Sequence, residues 1–130
     1  MAAPDFLKKL GAKPGDVLLI PDATLRRFAG AAKVLSKAPR RGKVRGVVFR
    51  PAGREDLPRD LRAHRGVMQE DGFIWAVIPK KVAINELGRN VTFEDVLRAA
   101  LKMDLVDNKT LTFTGQEYGV RLVVRKHLRR

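Results

Sequence analysis

The chain has no cysteine, which excludes disulfides, thiolate zinc sites, iron–sulfur clusters and a thiol nucleophile, and which suits a reducing compartment. Histidine is scarce too: only His64 and His127 are present, and neither has a carboxylate at ligand spacing, so no metal site is expected. No apolar run approaches the roughly 20 residues that a membrane-spanning helix needs. The amino terminus Met1–Asp5 lacks the charged-then-apolar order of a signal peptide. A cytoplasmic protein with no membrane contact is the expectation. No serine stands in a nucleophile-elbow pattern, which removes the usual motif for hydrolase chemistry. Acidic residues are missing between Asp22 and Glu55 and again after Glu117.

Positive charge fills those two gaps. The net charge is +13 over 130 residues, and Arg26, Lys33, Lys37, Arg40, Arg41, Lys43, Arg45, Arg50 and Arg54 all fall in the first gap. Arg121, Arg125, Lys126, Arg129 and Arg130 fall in the second. Such asymmetry concentrates polyanions, because each Lys or Arg that meets a phosphate releases condensed counterions. The length suits a single domain with one core.

Elements follow from apolar spacing and from proline and glycine. Phe6, Leu7 and Leu10 predict a short opening helix, and Val17–Ile20, closed by Pro21, predicts a buried strand. From Thr24, the residues Leu25, Phe28, Ala29, Ala32 and Leu35 recur at helical steps, predicting a helix to about Lys37 with Arg26, Lys33 and Lys37 on its outer face. Val44 to Phe49 predicts a second strand and Leu57 to Met68 a helix that stops near Asp71-Gly72. Phe73–Ile78 then predicts a central strand in which Trp75 is a core aromatic. Val82 to Asn90 reads as a loop with a short helical piece. Thr92 with Asp95 predicts a capping box for a helix through Val96, Leu97, Ala100 and Leu101. Two β-branched runs, Val106–Thr114 and Tyr118–Lys126, joined at Gly115-Gln116-Glu117, predict an antiparallel hairpin. Glu55, Asp56 and Asp60 fall at a helix start, where negative charge is favoured without any catalytic role.

Strand–helix repeats give a parallel sheet, and the hairpin adds antiparallel members. The fold class expected is α/β: a truncated Rossmann-like domain of three or two layers, with a mostly parallel sheet and a carboxyl-terminal antiparallel hairpin. Asp56–Leu61 followed by Val67–Trp75, and the closing hairpin, resemble the later half of class I methyltransferases. Leu10–Gly15, Trp75–Lys81 and Val96–Ala100 through Leu105-Val106-Asp107 resemble a family of small bacterial proteins of unknown function described as methyltransferase-like. The resemblance implies a cofactor loop after the first strand. Here that position reads Pro21-Asp22-Ala23-Thr24-Leu25, without glycine, and the next strand ends in Arg50 where the family holds the cofactor ribose with an acid. Two intervening strands of the full fold are expected to be missing.

These readings order the functions. First comes a non-catalytic regulatory module, without cofactor, that binds nucleic acid or another polyanion through the Arg26–Arg54 cations, Lys80, Lys81 and the basic carboxyl-terminal tail. Asp22, Arg50, Arg54, Lys80 and Lys81 are expected to gather at the carboxyl edge of the strands. A small S-adenosylmethionine-dependent methyltransferase is the alternative. A homodimer or protein partner is a third reading, because three parallel strands in chain order would put every crossover helix on one face and leave the other with only the short Phe6–Leu10 helix.

Overall fold

The computed structural model describes residues 4–125. Its strands are β1 (Val17–Leu19), β2 (Lys33–Leu35), β3 (Val44–Phe49), β4 (Met68–Pro79), β5 (Leu105–Thr112) and β6 (Glu117–Val124). They form one six-stranded sheet in the order β2-β1-β3-β4-β6-β5. The first four run parallel, while β6 is antiparallel to both β4 and β5. This is the α/β class expected, with the closing hairpin in place.

Four α-helices accompany the sheet: α1 (Pro4–Leu10), α2 (Leu57–Val67), α3 (Ile84–Leu87) and α4 (Phe93–Leu101). Pro58 is tolerated in α2 because it lies in the first turn, where its missing N–H has no partner to lose. The capping box of α4 forms: Thr92 Oγ1 accepts from Asp95 N at 3.2 Å, and Asp95 Oδ2 accepts from Thr92 N at 3.0 Å.

The segment after β1 departs from expectation. The helix predicted from Thr24 to Lys37 is a 3₁₀ helix over Ala23–Ala29, a turn, and then β2. Gly30 ends the helix at φ 53°, a conformation that side chains resist. Val34 and Leu35 then continue as an edge strand on β1. One of the two strands expected to be missing is therefore present. Similarly, Met68–Gly72 is the start of β4 and not the end of a helix.

β2 changes the layering. The chain moves from β1 outward to β2, returns past β1 to β3, and proceeds the opposite way to β4. Right-handed crossovers in opposite directions put their helices on opposite faces. Accordingly α2 and α4 cover one face over Val47, Ile74, Ala76 and Leu122, while α1 and the 3₁₀ helix cover the other over Leu18, Val48, Phe73 and Trp75. Phe113 closes that second face, its ring 5.4 Å from Phe6 and 5.0 Å from Phe28. The face expected to have only the first helix is covered as well by the 3₁₀ helix and Phe113, so the argument for a partner from an open face falls. Trp75 is fully buried and donates from Nε1 to Leu10 O at 2.9 Å, tying α1 to the central strand. Among the described residues, no helix is long and apolar enough to cross a membrane.

Candidate functional site

In an open parallel sheet, ligands bind outside the carboxyl ends of the strands, at the point where strand order reverses. Here that point lies between β1 and β3. The chain leaving β1 delivers Asp22 and Thr24, and the chain leaving β3 delivers Arg50. Asp22 caps the 3₁₀ helix, its Oδ1 accepting from Thr24 N at 2.9 Å and from Thr24 Oγ1 at 2.6 Å. Its other oxygen accepts from Arg50 Nη1 at 2.8 Å. The gap between the two loops is thus bridged by the chain's own side chains.

Arg50 also grips Glu117 with two parallel bonds, Nε to Oε2 at 2.7 Å and Nη2 to Oε1 at 2.9 Å, the fork geometry that makes arginine–carboxylate pairs strong. Glu117 opens β6 directly opposite Pro79, the last residue of β4, so the antiparallel register brings it to the same edge. Its side chain is only 9% exposed, and it is the sole charged residue in the buried set of the described residues. Arg89, between α3 and α4, supplies a third bond from Nη1 at 2.6 Å. The rest of that guanidinium donates to Pro51 O at 3.1 and 3.0 Å and to Val77 O at 2.6 Å. Arg26 treats β1 similarly, donating to Ile20 O and Pro21 O, each at 3.0 Å. The carbonyls of Ile20, Pro21, Pro51 and Val77 at these strand ends are therefore already engaged by arginine.

The electrostatics keep this cluster ionised. Burial would push Glu117 up, but the hydrogen bonds and charges of Arg50 and then Arg89 outweigh it and hold the carboxyl below its usual range. Burial would also raise Asp22, and the Thr24 hydroxyl and amide, followed by Arg50, bring it down instead. Arg50 is raised, chiefly by its bond to Glu117. Two carboxylates held ionised by two guanidinium groups carry no proton to donate near neutral pH. No group of three or more candidate metal ligands occurs among the described residues.

The expected polyanion-binding residues do not form one patch. Arg26, Lys37, Arg50, Arg54, Lys80 and Lys81 follow the carboxyl ends of strands, whereas Lys33, Lys43 and Arg45 lie at the amino ends, and Arg40 and Arg41 ride the β2–β3 connection between them. Of the five residues expected together at the carboxyl edge, Asp22 and Arg50 are joined directly. Arg54 and Lys81 are exposed, and the side chains of Arg54, Lys80 and Lys81 have no partner among the described residues. Lys126, Arg129 and Arg130 lie outside the described residues. Sequence reasoning missed Glu117 and Arg89. Glu117 read as part of a turn, and only its β4 register reveals it.

Comparison with solved structures places the architecture. The chain superposes on a provisionally assigned type 11 methyltransferase from Sulfolobus solfataricus with a TM-score of 0.65 at 10% identity, covering 92% of this chain and 89% of that one. It superposes on magnesium protoporphyrin IX methyltransferase from Synechocystis PCC 6803, solved with SAH, with a TM-score of 0.61 at 11% identity over 92% and 78% of the two chains. A ribosomal protein L11 methylase from Lactobacillus delbrueckii subsp. bulgaricus gives 0.58 at 12% identity over 92% and 75%. The fold is methyltransferase-like. No family model matches the chain, and the search of curated proteins returned no match. At these identities the likeness carries the fold alone.

The residues at the switch point do not fit the cofactor that this fold implies. Pro21 has no N–H to offer, and the Asp22 carboxylate occupies the start of the helix where an anionic ligand would sit. The strand after β1 is β2, not β3, so the position for the ribose acid falls at Ser36 and Lys37 and not at Arg50, and it is still not acidic.

Proposed function

We propose that the chain is a non-catalytic, methyltransferase-like binding module with a regulatory role, engaging nucleic acid or another polyanion through its basic surface. One observation carries the reading: the crevice used by enzymes of this fold is bridged by the Asp22–Arg50–Glu117–Arg89 network, while a run of unpaired charge starts after β2 at Lys37 and continues along the β2–β3 connection through Arg40 and Arg41. Lys33, Lys37, Arg40 and Arg41 are exposed, and their side chains have no partner among the described residues. Affinity from such a surface is mainly electrostatic and has little sequence preference.

Fluorescence anisotropy with a labelled single-stranded oligonucleotide tests this. The triple variant Lys37→Ala, Arg40→Ala, Arg41→Ala weakens binding, and the slope of log affinity against log salt flattens by roughly 0.7 to 0.9 for each phosphate that is no longer neutralised. A wild-type chain that ignores the oligonucleotide at low salt, or a triple variant that binds as well as wild type, overturns the proposal. The methyltransferase reading is favoured by the fold neighbours. It requires a saturable heat on titration with S-adenosylmethionine.

A further inference from the structure

A second concavity lies at the opposite edge of the sheet, where β1, β3 and β4 begin. The turn into β1 is closed by Asp16, whose Oδ2 accepts from Lys13 N at 2.8 Å. Across from it, β4 bulges: Val44 pairs with Met68 and Gly46 with Phe73, so Gln69–Gly72 stand where β3 has only Arg45. Gly72 lies so close to the Arg45 carbonyl that any Cβ there would collide with it, which fixes the bulge against β3. A cleft of about 330 Å³ results, lined by Gly11, Lys13, Asp16, Arg45, Gln69 and Asp71.

The chemistry of this lining is specific. Lys13 and the Gln69 amide have no side-chain partner among the described residues, and Arg45 has one, a single contact from Nη1 to Asp71 Oδ1 at 3.1 Å. Arg45 is partly sheltered with its side chain 27% exposed, whereas Asp71 is 73% exposed and held at one point. Asp16 holds its turn through Oδ2, so the lining carries two carboxylates beside Lys13 and Arg45. Three donor groups therefore line one space, and Asp71 is the loosely held one of its two carboxylates. Lys43, just before β3, adds positive charge at the same edge, and Arg41 precedes it on the β2–β3 connection.

We infer that this cleft is a phosphate-binding subsite for a nucleic-acid backbone, in which a phosphodiester takes the place of Asp71 on Arg45 and receives further bonds from Lys13 and Gln69. The inference rests on the polyanion reading and gives it a location. Arginine suits the exchange because its planar fork can hold two phosphate oxygens where it now holds one carboxylate oxygen.

The discriminating variant is Asp71→Asn, which removes the competing carboxylate. Its control is Glu70→Gln, the same change of charge one residue away, at a side chain whose only ion-pair contact among the described residues is Arg65 at 4.0 Å. In oligonucleotide anisotropy at low salt, Asp71→Asn tightens binding about threefold beyond Glu70→Gln, while Lys13→Ala and Arg45→Gln each weaken it about fivefold. Inorganic pyrophosphate that competes with wild type but not with Lys13→Ala assigns the cleft to phosphate whichever molecule carries it. Variant effects on oligonucleotide binding without such competition assign it to the intact backbone. Equal effects of Asp71→Asn and Glu70→Gln, with Lys13→Ala and Arg45→Gln unchanged, overturn the cleft while leaving the polyanion reading standing. If wild type binds no oligonucleotide, the broader reading fails. Pyrophosphate shifts of the Gln69 side-chain amide in ¹⁵N spectra then support the cleft, and their absence overturns it.

Discussion

Glu117 shows how one side chain can decide the character of a site. It lies in the crevice with two guanidinium groups on its carboxylate, and each of those also binds other groups at the strand ends. Removing one member of a buried ion pair leaves the others desolvated and underpaired. Glu117→Gln therefore lowers stability by about 3 kcal/mol at neutral pH, read from urea unfolding. A loss below about 0.5 kcal/mol, the range of ordinary surface substitutions, contradicts this account. The pH dependence has a defined sign. Both Glu117 and Asp22 are held below their ordinary values in the fold. The stability they confer is complete above the unfolded carboxylate values of about 4 and declines as pH falls toward the lower folded ones. In Glu117→Gln the acid limb of the stability curve is shallower than in wild type. At this scale Asp22 and Arg50 were legible, since each follows a strand and strand ends converge on the crevice. Arg89 was not, because Val82–Asn90 has no clear periodicity, and Glu117 was hidden by its neighbours Gly115 and Gln116, which read as a turn.

Among the elements, β2 was the least legible and has the widest consequences. Leu25, Phe28, Ala29, Ala32 and Leu35 fit a helical stripe, and nothing in that spacing marks where the period changes from helix to strand. Gly30 does mark it, but an isolated glycine inside a helical pattern is usually tolerated. Other elements were readable because their signals are local: Thr92 and Asp95 cap α4, and Pro21 and Pro79 follow or end buried apolar runs. α1 belongs to the same class, and its contribution can be measured. Leu10 is fully buried, and its carbonyl accepts the Trp75 indole N–H. Leu10→Ala costs about 2–5 kcal/mol, as large-to-small changes in a close-packed core do. Chemical denaturation reads the loss directly. A change under about 1 kcal/mol means that α1 only rests on the sheet and does not close it.

Across the molecule, the reversal of strand order explains both the covering of the sheet and the position of its crevice. It also separates the cations that look continuous in sequence. Arg26, Arg50 and Arg54 belong to one edge and Lys43 and Arg45 to the other, although Arg45 and Arg50 are both carried by β3 or its end. Strand length sets that separation: at about 3.3 Å per residue, β3 alone holds the two edges roughly 15–20 Å apart. Sequence spacing could not reveal this, because it gives the charge along the chain and not the edge on which each strand begins. The carboxyl edge uses arginine to close itself, and the amino edge leaves donors around open space. Amide chemical-shift mapping of the ¹⁵N-labelled chain, titrated with an oligonucleotide, tests this division most directly. The account predicts shifts at Lys13, Lys37, Arg40–Arg45 and Gln69–Asp71, with Asp22, Thr24, Arg50 and Glu117 unmoved. Shifts centred on those last four residues, with the amino edge silent, would contradict it.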